Sequence, residues 1–355
     1  MFLQANQPEL GYLKHLLIVP TSTDPEDSLP SVCFLEQGGK PVDWFFDSFL
    51  LMPRISSGNF LGADVNIGTT MSSEGDFYAV PSPNPGNKRD WKEAIEAILL
   101  GAQALGKTVQ QAREKLGPPA HPRNVVALLP YPGIGQATFG ELEGHRCNFS
   151  TLGQNLDRAT RDRFRACSWY VDEFLRRWEE APGTEGLHFL GFYWPFETVY
   201  RGWEVDDHWL LKELKKRINA RGYKTFWIPF WSSYNTHLLD DYQSYYFDAA
   251  FYQPNYLFYE KLEGVAECAR AAKQRNAGFE MEYYTFLDEP TRVGLEKYQR
   301  FQKYLDTGVE LGYMHGACAW FVGGGIRSML KDPRERNVYR QMYRFVKGTY
   351  GREEK

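Results

Sequence analysis

Three glutamates have the residue types and spacing that acid–base chemistry requires. Glu197 stands in GFYWPFETVY, residues 191–200, beside Trp194 and Phe196. A carboxyl group among aromatic rings is desolvated, which raises its pKa toward that of a general acid. Glu280 and Glu282 stand in GFEMEYY, residues 278–284. In a strand, residues two apart share a face, so these carboxyls lie roughly 6.5–7 Å apart along it. With Phe279, Met281 and Tyr283 turned the other way, both acids face one interior. Glycoside hydrolysis commonly uses two carboxyl groups across the scissile bond, one to protonate the leaving oxygen and one as nucleophile or base. A lone glutamate at a strand end more often meets a neighbouring Arg or Lys. The combination of acids on two separate segments is what points to catalysis.

Such acids need a scaffold that brings distant segments face to face. Eight short apolar runs supply one: 16–20 (LLIVP), 44–51 (WFFDSFLL), 125–130 (VVALLP), 187–194 (LHFLGFYW), 225–230 (TFWIPF), 249–253 (AAFYQ), 279–284 (FEMEYY) and 317–322 (ACAWFV). Helix-period segments alternate with them. Asp90 with Glu93 makes a capping-box start, after which Trp91, Ala94, Ile95, Ile98 and Leu99 recur on one face. Residues 161–178 repeat the pattern through Phe164, Cys167, Val171, Phe174, Leu175 and Trp178, and similar stripes run through 207–219, 264–275, 293–305 and 334–346. The first crossover, 27–37, has room only for a short helix ended by Gly38 and Gly39.

Eight strands alternating with about eight helices predict an α/β fold, a closed (β/α)8 or TIM barrel, as one domain over residues 1–355. No Gly-rich dinucleotide fingerprint follows the first strand, which argues against a doubly wound sheet. Two long segments, 52–88 and 131–159, follow strands and are expected at the C-terminal rim, where such barrels build their sites. Glu197 and Glu282 then end strands four and seven, three βα units of ~30 residues apart, and face one another across the mouth. Glu197 is assigned as acid/base and Glu282 as nucleophile. Glu280, one layer deeper, supports Glu282 or competes for its role.

Other strand ends offer groups suited to a sugar: Asp47 on the second, Tyr131 on the third, Trp194 on the fourth, Trp231 on the fifth, Gln253 and Asn255 on the sixth, Tyr284 on the seventh and Trp320 on the eighth. Aromatic faces stack on the C–H faces of carbohydrates, and amides and carboxylates bind their hydroxyls. Taken singly, each Trp is more often a packing residue. Aromatic residues make up 16% of the chain, more than a core of Leu, Ile and Val needs, so some rings are expected to line a site. The predicted ligand is an oligo- or polysaccharide that is either cleaved or, in the alternative reading, only bound.

Other chemistries fit poorly. The net charge is -4 and no Lys/Arg run exceeds three residues, so neither nucleic acid nor an anionic membrane is an expected partner. No apolar run reaches the ~18 residues of a membrane helix. The seven His include no HExxH, and the five Cys (Cys33, Cys147, Cys167, Cys268, Cys318) have no paired spacing, so they read as packing thiols and no metal or cofactor is expected. There is no GxSxG elbow and no P-loop. The N-terminal MFLQANQPELGY lacks the basic start and apolar stretch of a signal peptide. Location therefore stays open between cytoplasm and export, with the aromatic-rich composition favouring the exterior or cell surface.

The runs WFFDSFLL, LPYP, WYVDEFLRRW, GFYWPFE, WIPFW, FYQPNY and GFEMEYY, from about Tyr12 to Tyr350, resemble those of an uncharacterised bacterial domain family. Its members often occur in exported, surface-associated proteins, and it is grouped by fold with TIM-barrel glycosidases. GFYWPFE and the EME strand are the most specific pieces. The resemblance implies a glycosidase-like barrel, with roles for Glu197, Glu280 and Glu282.

Overall fold

The computed structural model describes residues 1–36, 38–62, 69–71, 77–79, 84–232, 240–259, 264–285 and 291–352. Eight parallel strands close into a barrel: β1 (His15–Pro20), β2 (Ser48–Met52), β3 (Arg123–Leu128), β4 (Leu187–Trp194), β5 (Lys224–Trp227), β6 (Ala249–Tyr252), β7 (Gly278–Tyr284) and β8 (Cys318–Gly323). Each strand pairs with its successor, and β8 returns to β1 from His15↔Cys318 to Ile18↔Phe321. Strands buried on both faces need continuous apolar runs, which is why β3 is buried throughout. Around them lie α1 (Pro25–Val32), α2 (Lys88–Leu116), α3 (Leu156–Glu180), α4 (Asp207–Ala220), the single turn α5 (Tyr242–Tyr245), α6 (Val265–Gln274), α7 (Thr291–Leu311), the single turn α8 (Ile326–Met329) and α9 (Pro333–Val346). The predicted (β/α)8 barrel is the fold of this chain.

Three local expectations change. The run 44–51 is two elements: Pro41–Trp44 pairs antiparallel with Cys33–Leu35, and the barrel strand begins only at Ser48. Between them, Asp47 accepts hydrogen bonds from the backbone N–H groups of Lys14 (3.0 Å) and His15 (2.9 Å), which anchors the start of β1. The helix expected to start at Asp90 starts at Lys88. Asn87 is the cap, and Asp90 is its reciprocal partner inside the first turn. The long segment after β3 holds a small hairpin, Gly140–Leu142 with His145–Cys147, before Asn155 caps α3. In the segment after β2, Thr69–Met71 pairs with Phe77–Ala79, and residues 63–68, 72–76 and 80–83 lie outside the described residues, as does the side chain of Val293 in α7.

A bulge in β4 decides which of its rings reaches the interior. Phe189 packs outward on Phe174 and Trp178 of α3. The pairing with β3 then shifts between Phe189 and Gly191, so Leu190 is an extra residue. An extra residue inverts the inside–outside alternation. Phe192 therefore packs outward on Phe174 at 5.4 Å, and Tyr193 turns inward. Gly191 makes the bulge possible, because a Cβ there would fall well inside contact distance of the Lys224 carbonyl on β5. Gly191→Ala is expected to destabilise the fold by about 1–3 kcal/mol, read as a lowered midpoint in chemical denaturation. An unchanged midpoint would refute this account of the bulge.

Candidate active site

β7 obeys strict alternation. Phe279 stacks on Tyr313 at 4.2 Å, and Tyr283 packs on Phe301 of α7 and donates from its hydroxyl to Glu335 of α9 at 2.6 Å. Those contacts lie in the helical layer, so Glu280 and Glu282 face the interior. Both are buried, at 2% and 0% exposure. Glu282 accepts a hydrogen bond from the backbone N–H of Asn255 (3.1 Å) at Oε1 and one from the Tyr304 hydroxyl of α7 at Oε2. The Gln253 amide donates to Asn255 Oδ1 at 3.1 Å and lies close enough to lower the pKa of the same carboxylate. Asn255 holds a left-handed backbone, φ 55°, to present its N–H, the kind of local strain that clusters at functional sites. Glu280 Oε2 has no hydrogen-bond partner, and neither glutamate has an ion pair among the described residues.

Burial pushes both carboxyls up. Glu282 rises to about 8, held back by its donors Tyr304 and Asn255 and by the nearby Gln253. Glu280 rises well above the carboxylate range through burial and then through the charges of Glu282 and Glu197. Hydrogen bonds to the charged form favour it, so Glu282 is the member of the pair that ionises first, and Glu280 keeps the proton.

Glu197 reaches the same space from the loop after β4. Its charge acts on Glu280, on the inward Tyr193 and on Tyr259, and Glu282 also acts on Tyr259. That loop is fixed from below. Tyr131 stacks on Phe196 at 4.1 Å, and Trp227 Nε1 donates to the Phe196 carbonyl at 2.9 Å. Asp207 accepts from the Tyr200 N–H (3.2 Å) and the Tyr131 hydroxyl (3.3 Å) while pairing with Arg163 at 2.6 Å, and Arg163 Nε donates to the Pro132 carbonyl at 2.8 Å. This pair is fully buried and hydrogen-bonded on both sides, the condition under which buried ions hold a structure.

The predicted binding residues divide. Asn255 donates to Glu282, Gln253 lies beside it, and the backbone N–H of Trp231 donates to the Gln253 carbonyl at 3.1 Å, while the Trp231 indole N–H has no partner among the described residues. Tyr284, 43% exposed, lies across Gly323 of β8, where a Cβ would collide with its ring. Four expectations are corrected. Asp47 sits at the opposite, N-terminal end of the barrel. Trp194 turns outward because of the β4 bulge and shares a crevice with Leu211 and Leu214 of α4. Trp320 pairs with Met281 in register, so it faces outward onto Phe345 of α9, while Phe321, opposite Glu282, faces the site. Tyr131 braces the Glu197 loop from beneath, with 6% of its surface exposed.

Tyr193, Tyr259, Tyr304 and Phe321 belong to the site unannounced. Only the alternation of Phe321 against the EME strand could have revealed one of them. At the rim, Trp203 is 97% exposed on a turn closed by the Arg201–Asp206 bridge. Among the described residues, the ligand atoms of His145, Cys147 and Asp162 lie within 4.8 Å of one another. Arg165 binds Asp162 at 3.1 Å and also Cys147, so a guanidinium supplies the cation that these groups share.

Residues 20–344 match the family described as Domain of unknown function (DUF4855). The chain belongs to the DUF4855 family. No curated protein matches its sequence. Among solved structures, the DUF4855 chain is similar to an endo-beta-1,4-mannanase from Thermotoga petrophila at 13% identity and TM-score 0.45, covering 97% of this chain and 79% of that one. It is also similar to a GH5-4 broad specificity endoglucanase from an uncultured bacterium at 9% identity and TM-score 0.38, covering 98% and 97%. Among the described residues, no helix of the DUF4855 chain is long and apolar enough to cross a membrane.

The raised carboxyls make stability depend on pH. An acid whose folded pKa is raised stabilises the fold below the ordinary glutamate range, and that contribution is lost as pH climbs toward the folded value. Thermal unfolding is therefore expected at falling temperature between the ordinary glutamate range and about 8. Glu280→Gln, neutral throughout, is expected to flatten that fall and to raise the Tm at its alkaline end. A pH profile parallel to that of the parent protein would contradict the buried protonated Glu280.

Proposed function

We propose that this DUF4855 barrel is a retaining glycoside hydrolase acting on an oligo- or polysaccharide, with Glu197 as acid/base and Glu282 as nucleophile. The observation that carries this reading is the Glu280–Glu282 pair, buried without a cation among the described residues. Glu280 and Glu282 are buried with no ion pair among the described residues, whereas Asp207, at the start of α4, is buried against Arg163 as structural acids are. Uncompensated buried carboxyls lower stability, and such groups cluster at sites of proton transfer.

The two carboxyls then divide the work. Glu197 gives its proton to the leaving glycosidic oxygen while a Glu282 oxygen attacks the anomeric carbon, forming a glycosyl ester. Water then attacks that carbon with Glu197 as base, and the Glu282 carboxylate departs. Asn255 N–H and the Tyr304 hydroxyl fix the Glu282 oxygens. Protonated Glu280 adds no second negative charge beside them. No cofactor takes part. Trp231, Gln253 and Tyr284 contact the sugar, and Trp203 stacks on a more distant residue of the chain.

One observation favours a second reading, a non-catalytic carbohydrate-binding barrel: Glu282 has no exposed surface. Release of reducing ends from a panel of polysaccharides, run beside binding of the same glycans, separates the two. Glu197→Gln and Glu282→Gln are each expected to lower hydrolysis by ~10²–10⁴-fold while glycan binding persists. Binding without hydrolysis by the parent protein selects the second reading, and neither activity overturns both. Trp203→Ala is expected to raise KM on the polymer and leave kcat on a short glycoside unchanged.

A further inference from the structure

The floor of the barrel, opposite the carboxylates, carries an open pocket of about 360 Å3 lined by Lys14, His15, Trp44, Asp47, Arg123 and Lys347, among others. Its polar groups are unbalanced. Arg123 is only 7% exposed and lies over the Trp44 ring, 4.6 Å from its centroid, yet it makes no hydrogen bond or ion pair among the described residues, and its Nε is buried without a partner. Lys14 spends one N–H on the Val346 carbonyl at 2.8 Å and has no ion pair among the described residues.

His15 adds a third donor. It is fully buried, and its Nδ1 accepts from Trp320 Nε1 at 3.0 Å. Indole is a donor only, so the proton of neutral His15 sits on Nε2, which faces the Val346 carbonyl but makes no hydrogen bond of full geometry among the described residues. Burial and the Lys14 charge keep the ring neutral.

The acceptors nearby are already taken. Asp47 receives Lys14 N–H, His15 N–H and the Ser48 hydroxyl, while Asp43 receives Lys347 at 2.7 Å and the Tyr343 hydroxyl at 2.6 Å. Three cations therefore line or border the space against two occupied carboxylates. A buried guanidinium with unmet donors matches a planar pair of oxygens. Water filling the same space would neutralise no charge.

We propose that this pocket binds a small molecule through a carboxylate or phosphate group, gripped by Arg123 and supported by Lys14. The site is independent of the glycosidase reading. At the N-terminal face of a barrel a ligand acts on stability, so occupancy is expected to raise the Tm.

The test is calorimetric titration and thermal unfolding of the whole chain with inorganic phosphate and, separately, malonate, at constant ionic strength against chloride. Saturable binding of at least one, with a Tm rise that chloride does not give, is expected. Arg123→Lys is expected to weaken it by ~10-fold or more. If that variant does not fold, Lys14→Gln reads the same contact. Response to phosphate alone or malonate alone identifies the group. Failure of both anions at millimolar concentration, or equal binding by the folded variants, overturns the site and leaves a water-filled floor.

Discussion

Everything at the mouth of this barrel depends on two carboxyl groups held two residues apart on one strand, inside a closed sheet, with no cation paired to them among the described residues. Strand alternation forces Glu280 and Glu282 onto the same face, and the barrel denies both of them water. Two like charges cannot both ionise cheaply in that space. Asymmetric hydrogen bonding separates them: Asn255 and Tyr304 both donate to Glu282, and Glu280 Oε2 receives nothing. From one geometric rule thus come an ionisable acid and a protonated one, with Glu197 approaching from across the rim.

The contrast with Arg163 and Asp207 is instructive because both clusters bury acids. There the same low-polarity surroundings hold an acid and a base together, and every oxygen of Asp207 is used. That pair ties the loop after β3 to the loop after β4 and so aims Glu197. One buried acid is neutralised by its cation, and the glutamate pair is held by hydrogen bonds to Glu282 alone. The barrel floor shows the opposite imbalance, donors in excess of acceptors, at the end of the sheet where strands begin.

The sequence was legible where local rules act alone. The apolar runs and helical stripes reported the barrel, the EME spacing reported the shared face of Glu280 and Glu282, and GFYWPFE reported Glu197. It misled where a single residue changed the phase. One extra residue in β4 moved Trp194 out and Tyr193 in, and nothing in LHFLGFYW except Gly191 hints at it. Asp47 was misplaced because two short elements read as one apolar strand. Trp320 was misplaced because its inward neighbour is set by pairing with β7, which only tertiary structure supplies. Tyr304 lies on a helix, and no spacing rule relates it to Glu282.

The most direct test of the central claim is covalent trapping at the proposed nucleophile. The whole chain is incubated with activated 2-deoxy-2-fluoroglycosides of both anomeric configurations and several sugars, followed by intact-protein mass and peptide mapping. The account predicts a single glycosyl adduct on the peptide containing β7, borne by Glu282 and absent from Glu282→Gln. An adduct on Glu280 or Glu197, or hydrolysis of a glycan by a protein that never forms an adduct with its matching fluoroglycoside, would contradict it.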